Sequence, residues 1–327
     1  MSTLVTGGAG YIGAHVIDLL HKRNEEVVVV DDLSNGVKEK IGNTKLYTLD
    51  LAEDGAADKL TTIMHDHDVD AVIHFAAKKQ VGESVEKPLW YYHQNVTGMV
   101  NLLTAMKDEK VKKFVFSSSA ATFGVPEASV VNEDYPCAPI NPYGETKLIG
   151  EWMANASAKA DNLRVASLRY FNVAGAGSPK LMDTAALNLV PMVFERLEKK
   201  EKPIVFGDDY DTPDGTCIRD YVHVVDLADA HLAALDYLDN EKRDYSAFNV
   251  GTGSGSSVKE VLDIIKKVTG IDTTPEIVKR RAGDPPQLIA DVSRINKTLN
   301  WEAKYNLNDI IESTWEAMKA KGTPLTK

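Results

Sequence analysis

Tyr143 and Lys147 stand four residues apart in Tyr143-Gly144-Glu145-Thr146-Lys147, a spacing that stacks a phenol and an ammonium on one face of a helix. Tyrosine ordinarily titrates near pH ~10 and is a poor base at neutrality. A lysine cation close by favours the phenolate. A phenol tuned in this way can take a proton from a hydroxyl while another group takes the hydride. Ser117-Ser118-Ser119 ends an apolar run, and a hydroxyl at a strand end can share that proton with Tyr143. Taken singly, these features are weak, since such Tyr/Lys pairs occur on solvated helix faces and serines fill polar turns.

The hydride acceptor is indicated at the amino end. Gly8-Ala9-Gly10-Tyr11-Ile12-Gly13 follows an apolar strand and opens a helical stretch, the context in which G-x-G-x-x-G binds a dinucleotide. The first glycines permit a tight turn beside the pyrophosphate, Gly13 permits close helix–sheet packing, and the helix amino end supplies N–H groups. Asp31-Asp32 closes the next apolar run, 18 residues beyond Gly13. A carboxylate there accepts from the adenine ribose hydroxyls and repels the extra phosphate of NADP. The cofactor expected is NAD.

These groups need a scaffold. Residues 2–6, 26–31, 45–49, 70–76, 112–118 and 164–171 are β-branched or aromatic runs of strand length, and 11–22, 56–67, 95–107 and 143–160 carry helical spacing. Alternation of apolar strands with helices predicts a parallel sheet covered on both faces, an α/β doubly wound Rossmann-type fold. After Asn172 the rhythm breaks at Ala174-Gly175-Ala176-Gly177-Ser178-Pro179. Helices are expected at 184–199, 224–238, 258–269, 292–299 and 307–320, with strands near 204–206 and 247–249. Residues 1–172 therefore read as a nucleotide-binding domain and 173–327 as a smaller C-terminal α/β substrate domain. A return of 224–251 to the first domain stays open. The polar end 322–327 reads as frayed.

Composition narrows the partners. With 37 Lys plus Arg against 48 Asp plus Glu, the formal charge is −11, which repels nucleic acid and anionic membrane. No apolar run approaches the roughly 18 residues needed to span a bilayer. Two cysteines, Cys137 and Cys217, make no disulfide framework, so a cytoplasmic protein with reduced thiols is expected. No metal is expected: His65 and His67 point to different faces of one helix.

Several longer runs carry a family resemblance. They are Val5–Gly13, Val72-Ile73-His74-Phe75-Ala76-Ala77, Val81-Gly82-Glu83-Ser84, Phe116-Ser117-Ser118-Ser119, Asn141-Pro142-Tyr143-Gly144 with Lys147, Leu168-Arg169-Tyr170-Phe171-Asn172, and Ile218-Arg219-Asp220-Tyr221-Val222-His223-Val224. Over essentially its whole length the chain resembles the extended short-chain dehydrogenase/reductases, and within them the branch that epimerises UDP-glucose at C4. The resemblance implies interconversion of UDP-galactose and UDP-glucose through a 4-keto sugar, with NAD tightly bound and regenerated at each turnover. It implies that Tyr143 is the base, that Lys147 lowers its pKa and binds the nicotinamide ribose, and that Ser119 holds the reacting oxygen. For NAD it implies Gly7, Gly10, Tyr11, Ile12, Gly13, Asp31, Asp50, Leu51, Phe75, Ala76, Ala77, Lys79, Asn95, Ser117 and Tyr170, with Tyr143 and Lys147. For the UDP-sugar it implies Ser119 and Tyr143 with Asn172, Asn188, Leu189, Val205, Phe206, Arg219, Tyr221, Arg281, Asp284 and Leu288. A homodimer formed by helix packing is also implied.

Two departures sharpen this. Ala120 and Ala121 stand where related dehydratases and decarboxylases carry acidic residues, which favours plain epimerisation. Leu288 falls at the sugar-pocket gate, where a tyrosine is associated with exclusion of N-acetylated sugars, so UDP-GlcNAc and UDP-GalNAc become candidate substrates. A core leucine is the alternative. A non-catalytic NAD sensor and a net sugar-nucleotide oxidoreductase are the rival readings.

Overall fold

The computed structural model describes residues 2–185, 187–240, 245–281 and 283–322; the tail at 323–327 lies outside them. Five strands of the first half, β1 (Ser2–Thr6), β2 (Val27–Asp31), β3 (Lys45–Thr48), β4 (Val69–His74) and β5 (Lys113–Ser117), join Arg164–Tyr170 and Tyr245–Val250 in one sheet. Its order is β3, β2, β1, β4, β5, Arg164–Tyr170, Tyr245–Val250. The ladders from β3 to Arg164–Tyr170 are all parallel. β1 and β2 are buried along their whole length, as central strands covered on both faces must be, and four of the five residues of β2 are valine. The edge strand β3 is half exposed and more polar.

From β1 the chain builds outward one way to β2 and β3 and the other way to β4 and β5. The fold is therefore doubly wound, and the reversal at β1/β4 is where such sheets bind ligands beyond their carboxyl ends. The helices Tyr11–Lys22, Ala56–Asp66, Gly98–Asp108 and Pro142–Asp161 fall close to the stretches with helical spacing. Asn95 differs from expectation: it lies in a π-helical turn, His93–Thr97, between Pro88–Tyr92 and Gly98–Asp108.

The chain divides into two compact units. The first comprises Met1–Gly124, Pro136–Arg169 and Ala228–Phe248; the second comprises Val125–Tyr135, Tyr170–Leu227 and Asn249–Lys327. The main boundary falls between Arg169 and Tyr170, beside the one expected at 172, and Ala228–Phe248, inside the stretch 224–251 whose return the sequence leaves open, groups with the first unit. Residues Val125–Tyr135 group with the second unit because Val130–Val131 pairs in parallel with Gln287–Ala290. The second unit holds a sheet ordered Gly255–Ser257, Ile218–His223, Gln287–Ala290, Val130–Val131, with Asn172–Ala174 also pairing to Ile218–His223. A separate parallel ladder joins Ile204–Phe206 to Glu276–Val278. The core of the second unit is formed by Val190, Phe194, Val261, Ile265, Ile310 and Ile311, among others.

Candidate active site

The turn after β1 and the helix start that follows it have no room for a side chain at Gly7 or Gly13. A Cβ on Gly7, whose φ is +69°, would lie 2.6 Å from the backbone nitrogen of Ala76, and one on Gly13 would lie 2.6 Å from the Gly7 carbonyl oxygen. Asp31, buried at the end of β2, accepts from Ala9 N–H at 2.9 Å and Leu33 N–H at 2.8 Å. Burial raises its pKa, opposed by those two donors, so further donors such as a ribose diol would favour its ionised form. A glycine cradle followed by a carboxylate at the end of β2 fits an adenine dinucleotide.

The β4 side is tied to this turn. Phe75 and Ala76 both donate backbone N–H to the Thr6 carbonyl, so the run to Ala77 leaves the sheet beside the glycines. Asp50 accepts from Ala52 N–H and Gln94 Nε2, and the Leu51 carbonyl accepts from Asn101. Asn95 is buried with its amide engaged inside the protein. Its Oδ1 accepts from Lys78 N–H at 2.8 Å, and its Nδ2 donates to the Lys78 carbonyl at 3.0 Å and to Thr146 Oγ1 at 2.9 Å. It pins the β4 loop to the helix that carries Tyr143.

That helix starts where the sequence instructs it to start. Asn141 is the N-cap, its Oδ1 accepting from Gly144 N–H at 2.9 Å, and Pro142 occupies the first turn. Tyr143 and Lys147 then face the interior, both buried. Lys147 Nζ donates to the Ser117 carbonyl at 2.7 Å and lies 6.0 Å from the Tyr143 ring centroid. Burial, with the charge of Lys79, lowers the Lys147 pKa to about 7. The plain cation expected from the sequence is therefore poised near neutrality. Ser119 Oγ, at the end of the same β5 segment, accepts from Ala121 N–H at 3.1 Å, which leaves its own proton available to an acceptor. Ser117 Oγ is buried without a hydrogen-bond partner among the described residues, as expected of a group whose partner is a ligand.

Two residues outside the expected set brace this arrangement. Glu151, one turn beyond Lys147, and Arg169 form a buried bidentate pair at 2.9 and 2.6 Å. Ser118 Oγ and Tyr245 OH donate to the same carboxylate. The four-residue step from Lys147 to Glu151 was the available signal. His74, at the end of β4, is bonded to Thr6 Oγ1 at 2.6 Å and stacks on Phe116. Burial and then Lys147 depress its pKa to about 3, so it is neutral there.

In the second unit, the backbone gathers most of the residues proposed for a nucleotide diphosphate. Asn172 pairs with Tyr221 and Arg219 pairs with Leu288 in neighbouring ladders, while Asn188 Nδ2 lies 3.4 Å from the Val173 carbonyl at the amino end of Leu189–Glu198. Arg219 Nη2 meets Asp284 Oδ1 at 3.3 Å. The Arg281 guanidinium lies 3.7 Å from the Phe206 ring centroid, beside the buried Val205. Tyr170 closes the strand Arg164–Tyr170 and counts with this unit. His223 serves the local backbone: its Nδ1 accepts from Val225 N–H and its Nε2 lies 3.0 Å from Ser313 Oγ.

Known proteins share this organisation. The family model described as "NAD dependent epimerase/dehydratase family" matches residues 3–251. The chain is 44% identical over 326 residues to the UDP-glucose 4-epimerase of Lactobacillus helveticus, covering 98% of each. The UDP-glucose 4-epimerase of Bifidobacterium longum, solved with NAD+ and UDP, superposes with a TM-score of 0.90 at 36% identity, covering 99% of both chains. The UDP-Glc/GlcNAc 4-epimerase of Campylobacter jejuni superposes with a TM-score of 0.85 at 42% identity, covering 98% of this chain and 99% of its own.

Proposed function

The chain belongs to the NAD dependent epimerase/dehydratase family, and from that premise we propose that it interconverts UDP-galactose and UDP-glucose, inverting C4 of the hexose. The observation that carries the reading is the buried Tyr143–Lys147 pair on one helix face, with Lys147 anchored to the end of β5. When bound, NAD would supply the reversible hydride acceptor that inversion at C4 needs. The glycines of the β1 turn, with Tyr11 and Ile12 at the helix amino end, hold its pyrophosphate, and Asp31 holds the adenine ribose. Asp50 and Leu51 border the adenine. Phe75, Ala76, Ala77, Lys79, Ser117 and Tyr170 contact the rest of the cofactor, with Asn95 keeping the β4 loop in place.

Tyr143 removes the proton of the 4-hydroxyl as the hydride leaves, and gives it back on return. Lys147 in its charged form stabilises the phenolate and binds the nicotinamide ribose. Ser119 donates to the reacting oxygen. Arg219 and Arg281 neutralise the diphosphate, which an acidic chain can bind only through placed cations. Asp284 holds the uridine ribose, and Asn172, Asn188, Leu189, Val205, Phe206 and Tyr221 complete the nucleotide contacts. The first unit is the cofactor domain and the second is the UDP-sugar domain. Because one carrier performs both half-reactions, NAD is retained and no net oxidant is consumed.

The test is conversion of UDP-galactose to UDP-glucose by purified protein without added NAD. Turnover by wild type, with a loss of at least about a hundredfold in Tyr143→Phe, is the expected result. Absence of turnover with NAD demonstrably bound would remove the assigned substrate. Stoichiometric consumption of added NAD would identify an oxidoreductase instead.

Two finer readings accompany this one. UDP-GlcNAc and UDP-GalNAc are accepted alongside the plain hexoses, supported by Leu288 and by likeness to a relative titled for both glucose and GlcNAc. The protein is a cytoplasmic homodimer. Its two cysteines are free thiols, and Val100 and Trp152 are exposed on the helices Gly98–Asp108 and Pro142–Asp161.

A further inference from the structure

Lys78 lies beside Lys79 yet makes a different set of contacts. Its backbone is held on both sides by the Asn95 amide. Its Nζ reaches Asp32 Oδ2 at 2.8 Å and Ser34 Oγ at 2.7 Å, and sits 5.6 Å from the Trp90 ring centroid. The lysine is 13% exposed and the aspartate 30%. Asp32 follows β2, whereas Lys78 follows β4, and β1 lies between those strands. The pair therefore spans two strand spacings, roughly 10 Å, across the carboxyl end of the strand that leads into the glycine turn.

We propose that the Lys78–Asp32 ion pair is a clasp across the nucleotide groove that slows cofactor release. The inference rests on the reading of the β1 turn as the NAD site. A pair fixed at the Lys78 backbone by Asn95 and at its tip by Asp32 and Ser34 stands in the path of a dinucleotide lying over β1. Opening it breaks the ion pair and the Lys78–Ser34 hydrogen bond.

The experiment follows release of labelled NAD from loaded protein into an excess of unlabelled NAD, using wild type, Lys78→Met, Asp32→Asn and the double variant. The Asp32→Asn change retains an Oδ1 that can accept from Ser34, as Asp32 Oδ1 does now, and Lys78→Met retains an apolar stem against Trp90. Each single variant is expected to release NAD about three- to tenfold faster at low ionic strength. The double variant should be no faster than either single one. Wild-type release should accelerate between about 0.05 and 0.5 M salt while the variants respond little. Unchanged release rates overturn the clasp. So does acceleration by Lys78→Met alone, which would make Lys78 a direct cofactor ligand without a role for Asp32. Protein that neither carries nor takes up NAD would instead overturn the cofactor reading itself.

Discussion

Lys147 is asked to be both buried and charged. Its pKa falls from 10.5 to about 7 because burial penalises the cation and Lys79 repels it. The unfolded chain binds that proton more readily, so Lys147 costs stability as pH drops below about 10.5, and the cost is fully developed below about 7. Lys147→Met should therefore stabilise the protein freed of cofactor by about 1–3 kcal/mol at neutral pH, while lowering kcat by at least about a hundredfold. Urea unfolding and turnover measured on the same preparation check both halves. A less stable variant would show that the bond to the Ser117 carbonyl outweighs the burial. Leu288 is the second informative residue, buried and paired in register with Arg219. Leu288→Tyr should lower kcat/KM for UDP-GlcNAc about tenfold more than for UDP-glucose. Equal losses for both sugars would return Leu288 to the role of a core residue.

At the scale of elements, the helix Pro142–Asp161 carries both residues of the pair proposed for the proton transfer, Tyr143 and Lys147. Its cap fixes where the first turn begins, and therefore which face presents Tyr143 and Lys147. Four residues beyond Lys147, Glu151 joins Arg169, Ser118 and Tyr245, locking the helix to the ends of three strands. The same helix exposes Trp152, and its neighbour Gly98–Asp108 exposes Val100, one large apolar side chain on each outward face. Trp152→Glu together with Val100→Glu should convert the proposed dimer to a monomer, read by sedimentation. A wild-type protein that sediments as a monomer at all accessible concentrations would dispose of the dimer. Two histidines on other elements, His15 in the first helix and His74 in β4, are neutral for the same reason that Lys147 gives up its proton readily. Burial lowers the first to about 4 and the second to about 3.

For the whole molecule, these histidines set a pH dependence. Both folded pKa values lie below the ordinary 6.5, so their full contribution is present above about 6.5. It is lost as pH falls toward about 4 for His15 and about 3 for His74, because the unfolded chain takes up the protons first. The expected slope approaches about 1.4 kcal/mol per pH unit for each histidine. Denaturant unfolding between about pH 7 and 5 should therefore show a steep loss of stability, reduced by half in His15→Gln if that variant folds with the same core. A flat profile in that window would mean the imidazoles are solvated. The net charge of −11 makes a diphosphate ligand dependent on local cations, the role proposed above for Arg219 and Arg281, in a unit whose strands are mostly short.

The elements with strong periodicity were legible from residues alone. The valine run can be read as β2 because strands buried on both faces are continuously apolar, and the helix was read from its spacing over 143–160, one residue inside its start at Pro142, without its Asn141 cap. The glycine turn belongs to the same class, since local backbone demands dictate it, whereas Asp31 and the Tyr143/Lys147 pair were legible from the chemistry of their side chains and their spacing. The strands Val130–Val131, Asn172–Ala174, Ile218–His223, Gly255–Ser257, Glu276–Val278 and Gln287–Ala290 were not read as strands. Most are three residues or fewer, or sit in motif runs, and their pairing partners lie far along the chain. Tertiary structure alone decided that Asn95 spends its amide on Lys78 and Thr146, that Glu151 finds Arg169, and that Lys78 reaches Asp32 across β1. It also decided that Lys147 titrates near neutrality, because desolvation depends on what the rest of the chain packs around a charge and not on the residue type.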